Sequence, residues 1–343
     1  MRHPITPEPE EIVHLTETAR VLVTGGYGCI GVQTVKWILA NTNATVVVGS
    51  REVNAQRTQR LFDDDDCTRL KCVGLDVREQ QQLKEVLTSN QITHVIHLAA
   101  LQTPDCNANR DAGLQVNVAG TQNVIEAIKA CRPSVQRFVF ASSIAIYGPR
   151  SSYVDPKVPM LAEPAPVNVY GVWKLAGEDM SRLFCLETDI PTVSLRPGVL
   201  YGPGRDAGLT STPTTAMKCV ALEMPYEIPF RSRQDYLYAS DVGAAFGNAA
   251  LAPFSGYGVF TLPSHTVDTA EIVDTMRQAA SETGLGANFG ITIGTDDVPF
   301  ICDLEYEPFL QVFPDTPHTP LATAIRESLE VFKVQRERGW LKR

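Results

Sequence analysis

Arg20-Val-Leu-Val-Thr-Gly-Gly-Tyr-Gly-Cys-Ile-Gly31 reads as a buried strand, a glycine turn and the opening of a helix. The first five residues favour a strand, and Gly25, Gly28 and Gly31 then follow at intervals of three. Without side chains the backbone turns tightly and comes close to a ligand's phosphates, whose charge meets the helix N-terminus. The spacing is Gly-x-x-Gly-x-x-Gly rather than Gly-x-Gly-x-x-Gly, so the triplet alone is weak. Its meaning comes from the strand before it and the helix after it. The segment predicts a loop that holds a dinucleotide pyrophosphate; the competing reading is a tight strand-to-helix turn and nothing more.

The same alternation continues outward from this turn. A helix is expected over about 29–40, and further strands at 45–48, 70–73, 93–98, 137–141 and 192–196. Helical patterns cover about 113–130 and 167–187. Strands that alternate with helices imply right-handed crossovers and a parallel sheet covered on both faces, and near-continuous apolar strands fit that burial. The expected fold is α/β: a doubly wound parallel sheet of Rossmann type with a smaller C-terminal substrate lobe. The dinucleotide-binding domain is placed at residues 17–197 with a returning segment near 235–263. The lobe takes 198–234 and 264–343, with helices near 268–283 and 321–337. Five prolines within 149–166 exclude helix and central strand and make that segment a loop bordering the site. The acidic run 63–66 reads as a solvated helix end or loop, because no partner ligands flank it.

Bulk properties narrow the partners. The 343 residues are 44% hydrophobic, enough for a large core, and the net charge of −9 argues against nucleic acid or an anionic membrane held by bulk electrostatics. An anionic cofactor is still admitted, since a loop and a helix end set the local field. Eight scattered cysteines form no Cys-x-x-Cys pair, which reads as reduced thiols in a cytoplasmic protein with no metal site. The first eleven residues lack the apolar stretch of a signal peptide, and no apolar run approaches the roughly 18 residues of a membrane span.

Tyr170 and Lys174 are four residues apart on a predicted helix and so share one face. A free phenol titrates near 10; an adjacent ammonium favours the phenolate, and a shift of about 3 units requires roughly 4 kcal/mol. Tyr170 then becomes a group able to exchange a carbinol proton. Ser142 and Ser143 close the fifth strand, at the sheet edge where ligands sit, so that a hydroxyl there can hold a substrate oxygen. At the end of the second strand Ser50 and Arg51 stand where a carboxylate would select NAD, which favours NADP over NAD; the alternative is an Arg51 turned to solvent. Asp76, followed by Val77, is a partner for an adenine edge or else a cap for the next helix. Asn117 supports the lysine through a water or is structural. His97 reads more readily as a hydrogen-bonded core histidine than as a ligand contact.

As a set, these residues resemble the extended short-chain dehydrogenases/reductases, the NAD-dependent epimerase/dehydratase family. The likeness rests on Thr24–Gly31, Asp76-Val77, His97-Leu-Ala-Ala100, Asn117-Val-Ala-Gly-Thr121, Ser142-Ser-Ile-Ala-Ile-Tyr-Gly148, Tyr170-Gly-Val-Trp-Lys174 and Leu195-Arg-Pro-Gly-Val-Leu-Tyr-Gly-Pro203, in that order over about residues 20 to 245. The resemblance implies Ser143, Tyr170 and Lys174 as the catalytic group. It implies pyrophosphate contacts from Cys29 and Ile30 and cofactor packing by Leu98, Ala99, Ala100 and Pro197.

The departures from the family pattern inform the substrate. Ile144 and Ala145 stand where dehydratases carry Asp-Glu, so water elimination has no evident agent. Val199 and Gln234 replace an Asn and an Arg that meet the diphosphate in nucleotide-sugar enzymes. The substrate expected is therefore small and without a nucleotide handle: a sugar acid, a polyol or a hydroxy-carbonyl compound. Ser143, Ala145, Tyr170, Gly198, Thr210 and Arg233 are expected around it. The hydroxyl-rich run 210–215 lines that pocket, or Pro213 marks an ordinary helix start. The function expected is an NAD(P)-dependent oxidoreductase interconverting a secondary alcohol and a ketone, and a homodimer by analogy with the family. The alternatives are an NAD(P)-dependent sugar epimerase and, more remotely, a non-catalytic dinucleotide sensor.

Overall fold

The computed structural model describes residues 19–62, 67–298 and 300–341; the acidic run 63–66 and the N-terminal eleven residues lie outside them. Twelve strands follow one another as β1 Arg20–Thr24, β2 Thr45–Ser50, β3 Leu70–Gly74, β4 His94–His97, β5 Arg137–Ala141, β6 Thr192–Arg196, β7 Val199–Tyr201, β8 Tyr226–Arg231, β9 Arg233–Tyr238, β10 Tyr257–Thr261, β11 His265–Asp268 and β12 Ile291–Asp297. Seven form one sheet in the order β10-β6-β5-β4-β1-β2-β3. Every pairing in that sheet is parallel, including β1 with both β2 and β4. The chain winds outward from β1 to β3, then returns to the other side of β1 at β4. That reversal opens a crevice at the carboxyl ends of β1 and β4, where such sheets bind their ligands.

Strand alternation distributes the apolar residues to both faces of this sheet. Val21, Val23, Val46, Val48 and Ile96 pack under the helices Cys29–Asn41 and Ala239–Leu251. Leu22, Val47, Val95, Phe138 and Phe140 pack under Gln80–Ser89, Gly120–Ala130 and, through Phe184, the helix Val169–Thr188. A strand buried on both sides is apolar at every position, which is why β1 and β2 read so plainly in the sequence. The helix expected over 113–130 is interrupted: Arg110–Leu114 passes into a π-helical turn, Gln115–Ala119, before Gly120–Ala130.

After β6 the chain leaves the large sheet. β7, β9 and β11 form a small sheet, and β8 pairs with β12. Around them the helices Thr212–Ala221, Thr269–Glu282 and Leu321–Glu337 close a separate core that includes Tyr201, Met217, Phe230, Tyr236, Ile272 and Phe332. From Ala239 onward the chain is back on the large sheet, first as the helix over Cys29–Asn41 and then as β10 beside β6. The proline-rich loop is held by a bridge from Val158 to Leu304. Among the described residues no helix is long and apolar enough to cross a membrane.

Candidate active site

The helix Val169–Thr188 carries two of the three candidate catalytic residues, Tyr170 and Lys174. It starts at Asn168, whose Oδ1 accepts the Gly171 amide at 2.9 Å, a normal N-cap. Glycine is required at 171: a Cβ there would lie 2.1 Å from the Ala145 carbonyl oxygen. The helix therefore rests directly on the loop that carries Ser143. Tyr170, Lys174 and Glu178 recur every four residues and form one stripe, running from the crevice into the core. Tyr170 opens on the crevice, while Lys174 and Glu178 are buried.

Each member of the stripe has its own partner. The Lys174 ammonium donates to the Ala141 carbonyl at 2.6 Å and lies 5.1 Å from the centre of the Phe140 ring and 5.7 Å from that of Tyr170. Burial holds its pKa down to about 8, opposed by the Cys106 thiol and the Glu178 carboxylate. Glu178 takes a forked pair of hydrogen bonds from Arg196, both at 2.7 Å, and one from the Ser142 hydroxyl at 2.5 Å. Arg196 also donates to the Tyr147 hydroxyl and the Met160 carbonyl. This fully partnered buried pair clamps β5, β6 and the helix beneath the site. Glu178 is missing from the residues expected from the sequence, although it lies one further step of four along the same helix.

Burial pushes the Tyr170 phenol above its ordinary value, against the Ser143 hydroxyl and the charge of Arg205, which draw it down. The Lys174 ammonium, 5.7 Å from the ring centre, donates to the Ala141 carbonyl instead of to this phenol, so it favours the phenolate only through space. Ser143 accepts the Ala145 amide at 3.1 Å and caps the short turn that brings Ile144 and Ala145 past the helix.

At the other end of the crevice the glycine turn packs against the end of β4. Gly25 has φ +68, and a Cβ on it would lie 2.9 Å from the Ala99 backbone. The helix behind the turn begins at Cys29 with no side-chain cap and no acidic residue in its first turn. Its first amide groups therefore have no partner within the helix and suit a pyrophosphate. Beneath them, Thr24 Oγ1 accepts the Leu98 and Ala99 amides, so its proton goes to His97 Nδ1 at 2.7 Å. His97 Nε2 then donates to Thr121 Oγ1 at 3.1 Å, which donates to the Asn117 carbonyl. His97 is a neutral core residue, its pKa held down to about 3 by burial.

One cavity of about 980 Å³ joins the two ends. Gly25, Gly28, Cys29, Ile30, Gly31, Ser50, Arg51, Asp76 and Val77 line it, as do Leu98, Ala99, Ala100 and Pro197. Ser143, Ala145, Tyr170, Lys174, Gly198 and Thr210 line it as well. Two expected members are elsewhere. Asn117 is buried behind the wall, its amide closing on the Leu101 backbone at 2.8 and 3.0 Å, so it shapes the loop after β4 without facing the cavity. Arg233 begins β9 on its exposed face and pairs with Asp303 at 3.2 Å, while Arg231 donates to the Gly294 carbonyl. From the hydroxyl run only Thr210 reaches the cavity; Pro213 opens the helix Thr212–Ala221, and Thr214 turns inward to the Gly202 amide. Asp76 does not cap the next helix: its carboxylate takes a fork from Arg78, which holds its pKa below the usual range.

The cavity also holds residues that sequence reading missed. Arg57 lines the cavity as Arg51 does, its guanidinium 5.2 Å from the Tyr27 ring centre. Gln102 and Arg205 meet across the middle, 103 positions apart in the chain. Val298, Phe300 and Ile301 close the far side. Among the described residues no group of three His, Cys, Asp or Glu side chains could hold a metal ion.

Residues 21–259 match the model of the NAD dependent epimerase/dehydratase family. Among curated proteins, D-erythronate dehydrogenase of Haemophilus influenzae is 27% identical over 186 residues, 52% of this chain and 56% of that protein. UDP-glucose 4-epimerase 4 of Oryza sativa subsp. japonica is 32% identical over 167 residues, 47% of this chain and 44% of that one. The chain thus spans about half the length of the curated relatives it matches. Among solved structures, MoeE5 in complex with UDP-glucose and NAD is 25% identical with a TM-score of 0.74, covering 93% of this chain and 100% of that one.

Proposed function

The chain belongs to the NAD dependent epimerase/dehydratase family, and from that membership we propose an NAD(P)-dependent oxidoreductase that interconverts a secondary alcohol and a ketone on a small non-nucleotide substrate. The observation that carries this reading is that Ser143, Tyr170 and Lys174 line the same cavity as the glycine turn. The Ser143 hydroxyl holds the substrate oxygen. Tyr170 gives that oxygen a proton during reduction and takes it back during oxidation, a contribution of about 10²–10⁴ in rate. Lys174 keeps a positive charge beneath the phenol and favours its anion as the proton leaves. The nicotinamide, when bound, accepts or returns the hydride. Water is kept from the reacting carbon by the apolar wall of Ile144, Val199 and Phe300.

Two features support a substrate without a diphosphate. Val199 lines the cavity and offers phosphate no donor, while Gln234 is buried with its amide on Ser232. NADP is the cofactor we propose. Ser50, Arg51 and Arg57 line the cavity beyond β2, and the carboxylate at that end, Asp76, is already neutralised by Arg78. The likeness to a sugar epimerase keeps one competing reading, in which the same three residues act with no net redox change.

A screen decides between them. Absorbance of the reduced cofactor is followed with NADP and with NAD against sugar acids, polyols and aldoses. Net reduction that is faster with NADP is the expected result. Interconversion of a substrate without net reduction would make the epimerase the correct reading, and no turnover with any class would end both.

A further inference from the structure

Arg205 is the cation of this cavity that the chemistry above leaves unused. It rises from the loop between β7 and the helix Thr212–Ala221 and is half-buried. Its Nη1 donates to Gln102 Oε1 at 3.3 Å and its Nη2 to Thr210 Oγ1 at 3.0 Å. Both partners are neutral. Among the described residues no carboxylate lies within ion-pair distance of it, and the adjacent Asp206 is taken by Lys218. Its Nε is buried without a partner. The guanidinium is therefore held from both sides of the crevice with its charge uncompensated, and both the Tyr170 phenol and the Cys29 thiol of the glycine turn feel that charge.

We propose that Arg205, with Gln102 and Thr210, is a carboxylate-binding subsite, and that the substrate is a small hydroxy acid of the sugar-acid type. This rests on the oxidoreductase reading and narrows it. Nη1 and Nη2 each keep a second N–H beyond the bonds to Gln102 and Thr210, and that pair matches a carboxylate in two parallel hydrogen bonds, while the amide and hydroxyl beside it can serve neighbouring substrate hydroxyls. The cofactor pyrophosphate has its own donors in the first turn of Cys29–Asn41 and does not require this arginine. In oxidation the hydroxy acid loses a hydride to the oxidised cofactor and a proton to Tyr170. It becomes the keto acid while its carboxylate keeps its charge on Arg205. Arg233, expected near the substrate from the sequence, does not line the cavity and pairs with Asp303 instead.

The test is calorimetric and uses the full chain saturated with NADPH or NADH. Binding of D-erythronate, D-gluconate and the neutral polyol sorbitol is measured to the wild type, Arg205→Gln and Arg205→Lys, with cofactor affinity measured separately. The acids are expected to bind the wild type and to weaken by at least about tenfold in Arg205→Gln. Arg205→Lys should fall between the two, and sorbitol and cofactor should be unaffected. Equal losses for acid and polyol, no binding of either acid to the wild type, or a loss of cofactor affinity instead would overturn the subsite; the last would assign Arg205 to the pyrophosphate. Should Arg205→Gln fail to fold, Arg205→Lys alone decides, because it keeps the charge and removes the fork. Turnover of neutral polyols only would sink the subsite and leave the oxidoreductase standing. Acid binding through Arg205 with no redox turnover of any compound would do the reverse.

Discussion

At the scale of single residues, Lys174 shows what a buried charge costs this fold. Its ammonium is buried, and its pKa is about 8 against an ordinary value of 10.5. Between those values the unfolded chain holds a proton that the folded chain has shed, so stability rises with pH across that window. Below pH 8 the cost of burying the charge is fully present. Lys174→Met should therefore stabilise the protein at pH 7, by at most about 3 kcal/mol, with the gain shrinking from pH 8 towards 10.5. Urea denaturation at pH 7 and at pH 10 checks this, and a gain that does not change with pH would mean that the charge is not its source. Arg51 gives a second residue-scale prediction. Arg51→Ala should weaken NADP by about tenfold or more while leaving NAD nearly unchanged, since only NADP carries the 2′-phosphate. Equal losses in fluorescence titrations would remove that role from Arg51.

At the scale of elements, the helix Val169–Thr188 does two jobs that its sequence shows unequally. The four-residue spacing of Tyr170 and Lys174 is visible in the chain alone, because it follows from helix geometry. Contact between Gly171 and the Ala145 carbonyl is not visible, because it depends on a loop 26 positions earlier in the chain. Gly171→Ala must lift the helix from that loop and separate Tyr170 from Ser143. We expect kcat to fall by about tenfold or more with cofactor affinity preserved, and stability to fall by about 1–3 kcal/mol. An unchanged kcat would show that the contact does not set the catalytic geometry. The π-helical turn at Gln115–Ala119 was equally hidden. A continuous helix was the natural reading of that segment; the interruption comes with Asn117, which reaches back to Leu101.

Across the whole molecule, the large sheet was legible because burial on both faces makes each strand apolar and sets it apart from the amphipathic helices. The end of the crevice at the glycine turn was legible for a related reason. Its parts, the glycine turn and the ends of β2, β3 and β4, sit at fixed places relative to those strands. The end around Arg205 was not, because its residues come from loops joined only in three dimensions. Arg205 meets Gln102 across 103 positions, and Val298, Phe300 and Ile301 arrive from beyond β12. Arg233 was misread because its direction depends on the pairing of β9 with β7 and β11, which no local pattern announces.

The whole account depends on a phenol that exchanges a proton with substrate beside a bound nicotinamide, and Tyr170→Phe removes that proton and little else. Turnover and NAD(P)H affinity of this variant, measured side by side on a substrate found by the screen, test it most directly. The account predicts that kcat falls by about two to four powers of ten while the cofactor dissociation constant stays within about twofold of wild type. A phenylalanine variant that turns over at the wild-type rate would contradict it.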